Sequence, residues 1–395
     1  MARQGKTSWR LKPFSPMWKI RRELNRIKMQ ITAPLSLATN WITRPIYDWK
    51  KHSKIIITDG DVPQKPDIAV FLIYCPKKLK KSYFHTLNHL REKGFAVFVV
   101  ANHPLSDEMR RELAPYSWQI MERPNVGYDF GGYREAILNL KARSIELEHL
   151  LICNDSVWFP LYEDDNMLDE MRSWNANIRG FCMDRHKRSN NPPFVQSFMF
   201  IYDRTIYQHP AFLQYWKSIV LTKNKYLVIR KLEMGMTRYF ERHGFTNFAR
   251  HDYRRIGETL SQLSEDRLLR FVEIEEDRLN GKAPDIIKRI QADGKSAISL
   301  EELKEIGSLS QVDGHILKLP PELLFDVFDI NMLKKLKHGH FTEQRAKIID
   351  GGYHENLLPT IRDELLNWDS PREMAIIKKR EAKKRAAQEK MRQRG

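Results

Sequence analysis

Only three cysteines occur in the 395 residues, Cys75, Cys153 and Cys182, far apart and with no CxxC pair among them. Such an odd, sparse set fits neither a disulfide framework nor a cysteine zinc site, and suits thiols kept reduced. No window approaches 18 consecutive apolar residues, so no membrane-crossing helix is expected. The basic N-terminus leads into no apolar core of signal length. Several nucleotide and hydrolase signatures are also missing. GKS at 294–296 has Arg289 where a phosphate loop needs glycine, and no GxSxG elbow occurs. HGH at 338–340 has no second ligand pair near it, which argues against zinc. The expectation is a soluble or peripheral protein.

Charge is abundant but confined. The chain carries a net +17, of which residues 1–54 hold +11 and residues 371–395 hold +7, so the stretch between is close to neutral. A neutral body without an aromatic-bearing basic groove argues against nucleic acid as a partner. In the N-terminal segment, cations alternate with Trp9, Phe14, Trp18, Trp41, Tyr47 and Trp49, and apolar residues at 17, 20, 24, 27 and 31 predict a helix over 16–31. A basic helix edged with tryptophan suits the headgroup layer of an anionic membrane; docking on the protein's own body is the alternative. The tail KKREAKKRAAQEKMRQRG has helix formers but almost no apolar face, and reads as a solvated helix.

With 42% apolar and 11% aromatic residues the rest is globular. DIAVFLIYC (67–75), FAVFVVAN (95–102) and LEHLLICNDS (147–156) have the continuous apolar character of buried parallel strands, and a short strand is expected near 117–121. Helices are expected at about 80–93, 106–113 and 133–142. The alternation predicts an α/β fold, a mostly parallel sheet with helices on both faces. Ligands of such sheets sit beyond the carboxyl ends of the strands. Three polar clusters fall there: Asn102–His103, Asn125 to Gly132, and Asn154–Asp155–Ser156. After a helix near 164–174, strands at 178–184 and 195–203 and helices near 211–222 and 228–243 form a less regular half. A parallel half feeding an irregular one suggests a nucleotide-sugar transferase. The boundaries read as 1–54, a basic N-terminal segment; 55–254, the transferase domain; 255–370, mainly helical, with an amphipathic piece at 320–336 and no evident chemistry; and 371–395, the tail.

Three candidates for chemistry emerge. Asp155, at a strand end between Asn154 and Ser156, stands where a transferase ligates Mg²⁺ or Mn²⁺ against a leaving diphosphate. One acid is present where two are usual, which leaves a turn-capping role open. Gly127, Gly131 and Gly132 around Asp129 permit positive φ and close approach of a ligand, with Asp129 free to accept a hydroxyl and the following helix N-terminus to take a phosphate. A tight turn satisfied by itself is the alternative. Glu233, on the last helix of this half, is a carboxylate of the type that deprotonates an acceptor hydroxyl, although surface helices carry glutamate routinely.

VGYDFGGY, LLICNDSVWFPL, VQSFMFIYDRTIYQHPAFLQYW and LEMGMTRYFERHGF, in this order over roughly 67–250, resemble the rhamnan synthesis protein F family of bacterial glycosyltransferases. The resemblance implies a GT-A-like fold and a nucleotide-sugar donor. It also implies a lipid-linked glycan acceptor and a place at the cytoplasmic face of the membrane, in the assembly of rhamnan, capsule or lipopolysaccharide O-antigen. The family's blocks fall on Asn125, Gly127, Asp129 and Gly132; on Asn154, Asp155 and Ser156; on Gln196 and Ser197, lining sugar or acceptor; and on Glu233 as base, which implies inversion. The rival expectation is a transferase-like scaffold without turnover.

Overall fold

The apolar runs become central strands because each is covered on both faces. In the computed structural model, which describes residues 16–184, 193–313, 315–337 and 339–371 with 373 and 375, eleven strands occur among the described residues. They are β1 (Ile56–Asp59), β2 (Asp67–Ile73), β3 (Ala96–Ala101), β4 (Gln119–Glu122), β5 (His149–Asn154), β6 (Val157–Trp158), β7 (Ile178–Asp184), β8 (Phe194–Val195), β9 (Met199–Asp203), β10 (Asn247–His251) and β11 (Leu333–Lys334). The main sheet runs β1-β4-β3-β2-β5-β9-β7-β10, with β8 on β7. Strands β4, β3, β2 and β5 are parallel, β9 is antiparallel to both its neighbours, and β10 returns parallel to β7. The result is a mixed α/β architecture with a central, mostly parallel sheet.

Side chains along β2 alternate as a strand requires. Ala69, Phe71 and Ile73 enter one core, Ile68, Val70 and Leu72 the other. Over the first face lie α2 (Lys81–Glu92), α3 (Asp107–Leu113) and α5 (Met167–Ser173). The second carries α4 (Tyr128–Ala142), α6 (Arg204–Gln208), α7 (Pro210–Ser218) and α9 (Met234–Glu241), the last preceded by the short α8 (Lys225–Leu227) and a π turn, Val228–Glu233. The first core continues into the C-terminal helices α10 (Ile256–Gln262), α11 (Glu265–Glu275), α12 (Ala283–Asp293), α13 (Leu300–Leu309), α14 (His340–Asp350) and α15 (Pro359–Leu366), through Leu260, Phe271, Ile306, Ile348 and Ile361. One apolar interior therefore serves both regions.

Two expectations need correction. The N-terminal helix, here α1 (Pro16–Lys50), does not stop at 31 but continues through Pro34 and Pro45. It is braced toward its C-terminal end: Leu221 N–H donates to Asn40 Oδ1 at 3.0 Å, Arg134 holds Asp48 through two bonds of 2.8 Å, and Lys51, just past the helix, meets Glu135 at 2.9 Å. The piece at 320–336 is helical only over Glu322–Val327. Asp329 takes a left-handed φ of 51°, which ends the helix, and the chain then extends into β11. The first 15 residues, the loop 185–192 and the tail from 376 onward lie outside the described residues.

β11 pairs antiparallel with β6, Leu333 opposite Trp158 and Lys334 opposite Val157. A two-residue ladder is too short to hold itself. Arg345 on α14 holds it, donating to the carbonyls of Lys334 and Leu336 at 3.0 Å each, and its guanidinium is neutralised by buried Asp369 at 2.6 and 2.9 Å. Replacing Arg345 with methionine leaves Asp369 buried and unpaired, and should lower folding stability by about 3–5 kcal/mol in a urea titration. A loss below ~1 kcal/mol would show that β11 is held by other contacts.

Candidate active site

The pocket begins with a strained backbone. Gly127 has φ 81° and Tyr128, the first residue of α4, has φ 52°. A bulky residue in the left-handed region is uncommon and marks a place the surroundings over-determine. The Tyr128 hydroxyl donates to the Lys223 carbonyl at 3.0 Å, tying the turn to the segment before α8. The helix thus starts five residues earlier than the sequence suggests, with Gly127 as its left-handed cap and Gly131 and Gly132 inside its first turns. Their reason is packing. A Cβ on Gly131 would lie 1.9 Å from the Val126 carbonyl oxygen, and one on Gly132 2.1 Å from Leu72 Cδ1. Neither glycine lines the pocket, and Asn125 is exposed outside it.

The cavity, about 390 Å³, opens among Tyr128, Asp129, Asn154, Ser156, Gln196, Ser197, Phe198 and Glu233. Six of the residues expected at the site therefore meet: Asp129, Asn154, Ser156, Gln196, Ser197 and Glu233. A hydrogen-bonded line connects most of them. Asn154 Nδ2 donates to Asp129 Oδ2 at 3.2 Å and to the Tyr133 hydroxyl at 2.9 Å; Tyr133 donates to the Ser197 carbonyl at 3.0 Å. Ser197 Oγ then donates to Glu233 Oε1 at 2.7 Å, fixing that carboxylate at the end of the π turn. π turns inside helices are frequent at functional positions. The Gln196 amide donates to Asp184 Oδ2 at 2.8 Å, and the Ser156 amide to Asn154 Oδ1 at 3.1 Å.

Asp155 is placed elsewhere. Its Oδ2 accepts the Tyr74 amide at 3.0 Å and the Tyr83 hydroxyl at 2.5 Å, and it does not line the cavity. Burial and the facing carboxylate push the Tyr83 phenol far up, so it stays a donor to Asp155. Among the described residues no group of three His, Cys, Asp or Glu side chains is arranged to hold a metal ion. The Mg²⁺ or Mn²⁺ expected at this strand end would draw on Asp155, whose Oδ2 already accepts two hydrogen bonds, together with oxygens of a substrate.

What the sequence reading missed is the positive side of the pocket. Lys225 from α8, and His315, Lys318, Lys334, Leu336 and Phe341 from the C-terminal region, complete the wall. Lys334 is buried, its Nζ 3.6 Å from the Phe198 ring centroid and 3.3 Å from Ser156 Oγ. Burial pushes its ammonium down to about 8, against the pull of Glu233 and Asp129. Burial, aided by Lys334 and Lys318, drives His315 well below its usual range and keeps it neutral. Asp129 is raised to about 6, by burial first and then by the charges of Asp155 and Glu233. One signal was available: two lysines inside the apolar run INMLKKL are unusual unless one of them turns inward to a polar site.

Residues 97–394 match the family described as rhamnan synthesis protein F. The chain belongs to that family. The match runs through the C-terminal helices, beyond the blocks that carry the resemblance in the sequence. An uncharacterized protein, y4gN of Sinorhizobium fredii (strain NBRC 101917 / NGR234), is 33% identical over 362 residues, 89% of this chain and 92% of that one. A solved structure of a provisionally assigned nucleotide-diphospho-sugar transferase from Desulfovibrio desulfuricans G20 covers 48% of this chain and 81% of its own. The two share 8% identity and a TM-score of 0.29, too low to carry an argument.

These charges predict a pH dependence. As pH rises through about 6 Asp129 gains a negative charge beside the lysines, and through about 8 Lys334 loses its positive one. Both changes weaken the pocket's attraction for an anion such as pyrophosphate, and the variant lacking the Asp129 carboxylate isolates the first of them. Asp129→Asn should bind it as wild type does at pH 5 and about fivefold more tightly at pH 7.5, on the scale of ~1 kcal/mol of relieved repulsion. The ratio of the two affinities cancels the titration of the probe. A ratio constant from pH 5 to 8 would contradict this assignment.

Proposed function

We propose that the chain is a glycosyltransferase, moving a sugar from a nucleotide-sugar donor to a hydroxyl of a lipid-linked glycan in bacterial surface-polysaccharide synthesis. The observation that carries the reading is one cavity facing Lys225, Lys318 and Lys334 on one side and a serine-held carboxylate, Glu233, on the other. The family's rhamnan description suggests rhamnose as the donor sugar, with rhamnan, capsule or O-antigen as the product. A parallel half followed by a mixed half with one antiparallel strand between supports a GT-A-like reading of the sheet. Among the described residues no helix is long and apolar enough to cross a membrane. We place the protein peripherally at the cytoplasmic face, where lipid-linked acceptors are met.

In this mechanism Glu233 removes the proton of the acceptor hydroxyl. The new oxygen–carbon bond forms at the anomeric carbon as the bond to the nucleoside diphosphate breaks on its opposite side, inverting the centre. Ser197 keeps the Glu233 carboxylate aimed and Gln196 borders the sugar. Asp129 and Asn154 accept or donate to donor hydroxyls, with Tyr128 and the Gly127 turn shaping that end. Charge on the departing diphosphate is met by Lys225, Lys318 and Lys334, a role that the sequence alone assigned to a cation at Asp155. Of the three, Lys334 is buried and held by Ser156, so its ammonium is already in place to meet developing charge, while Lys225 and Lys318 reach in from the exposed rim.

Glu233→Gln should lower transfer by about 10²–10⁴-fold while leaving donor affinity intact. Lys334→Ala should weaken nucleoside diphosphate binding by about 10–100-fold, the loss of a charge-assisted hydrogen bond. Transfer should persist in EDTA, and NMR of the product should show inversion. A pure, folded protein that binds no nucleotide sugar, or turns none over on any glycan acceptor, would favour a scaffold without turnover.

A further inference from the structure

Helix α1 has two opposite faces, and among the described residues only one of them meets the rest of the protein. At roughly 3.6 residues per turn, Met29, Ala33, Asn40 and Arg44 lie on the side toward the body. There Asn224 Nδ2 donates to the Met29 carbonyl at 2.7 Å and Arg44 to the Ser218 carbonyl at 3.0 Å. Ile20, Leu24, Ile27, Ile31, Leu35, Ile42, Ile46 and Trp49 form one continuous stripe on the other side. Ile31 is 73% exposed, Leu35 67%, Trp41 at the stripe's edge 72% and Trp49 77%. Isolated exposed apolar residues need no explanation, but a stripe this long marks an interaction surface.

We propose that this face of α1 lies in the headgroup layer of an anionic bilayer, parallel to its plane. The charge argues for lipid over a second copy of the chain. Residues 16–50 carry seven Lys/Arg against Glu23 and Asp48, and Asp48 is already held by Arg134. Two such helices face to face would set like charges together, whereas each cation near an anionic surface adds about 1 kcal/mol. Trp41 and Trp49 belong where an apolar layer meets polar headgroups. Asn224, held by α1, precedes the pocket's Lys225, so the docking surface and the donor cavity are braced by one element.

The body-facing bonds of α1 make deletion of the helix a poor test, because Arg134 would be left buried without Asp48. Point changes on the free face avoid this. The full chain and the double variant Ile31→Glu/Leu35→Glu should be sedimented with vesicles of phosphatidylglycerol and phosphatidylcholine, and with phosphatidylcholine alone. Equal melting temperatures establish that both are folded. The wild type should bind the anionic vesicles and the variant at least tenfold more weakly. Equal binding by the two, or no binding by the wild type, would overturn the proposal. So would a dimer in sedimentation equilibrium that the variant splits while neither protein binds vesicles, since the face would then belong to a second copy. Vesicle binding needs neither donor nor turnover, so it stands or falls apart from the transferase reading.

Discussion

The pairing of Leu333–Lys334 with Val157–Trp158 is the contact on which the pocket depends. Val157 and Trp158 follow the polar end of β5 directly, so whatever pairs with them is delivered to the place where a parallel sheet presents its ligand. Because residues alternate along a strand, Lys334 turns into the cavity over Phe198 while Lys335 turns to Ser82, Tyr83 and Trp158 on the other side. Two ladder residues cannot hold a buried ammonium against its desolvation. The surroundings do so: Arg345 and Asp369 fix the strand from behind, and Ser156 and the carboxylates fix the charge in front.

The central strands were legible in the sequence because strands buried on both faces are apolar throughout, and no other element of similar length reads that way. β10 was not: Asn247–His251 pairs on one side with β7 and lies at the sheet edge, where polar residues are tolerated. In the glycine turn Gly127 takes the positive φ that the sequence allows for, whereas Gly131 and Gly132 are required by packing. Those two admit the Val126 carbonyl and the Leu72 side chain, contacts that exist only after the helix has packed on the sheet. A strand-end acid looks the same in sequence whether it faces a ligand or a tyrosine; Asp155 meets the Tyr74 amide and the Tyr83 hydroxyl, and Asp129 borders the cavity. The lysines were invisible for a different reason. Lys318 and Lys334 are brought to Asn154 by a fold-back across more than 160 residues, which no local pattern records.

The cavity combines features that would conflict if they were separate. Three ammoniums alone would bind any anion, and a buried carboxylate beside Asp155 and Glu233 alone would stay protonated. Together they lower one another's cost, which is why Asp129 and Lys334 are both displaced toward neutrality without being fully discharged at pH 7. The line from Asp129 through Asn154, Tyr133 and Ser197 to Glu233 also makes the two ends of the cavity mechanically one unit.

The central claim is that the C-terminal region completes the pocket by facing a diphosphate with lysines. A crystal structure with a bound nucleoside diphosphate, grown with Mg²⁺ present, tests it most directly. The account predicts phosphate oxygens within hydrogen-bond distance of Lys334 Nζ, with Lys225 and Lys318 closing on them. Phosphates bridged by a cation to Asp155, with Lys334 left in contact only with Ser156 and Phe198, would contradict it.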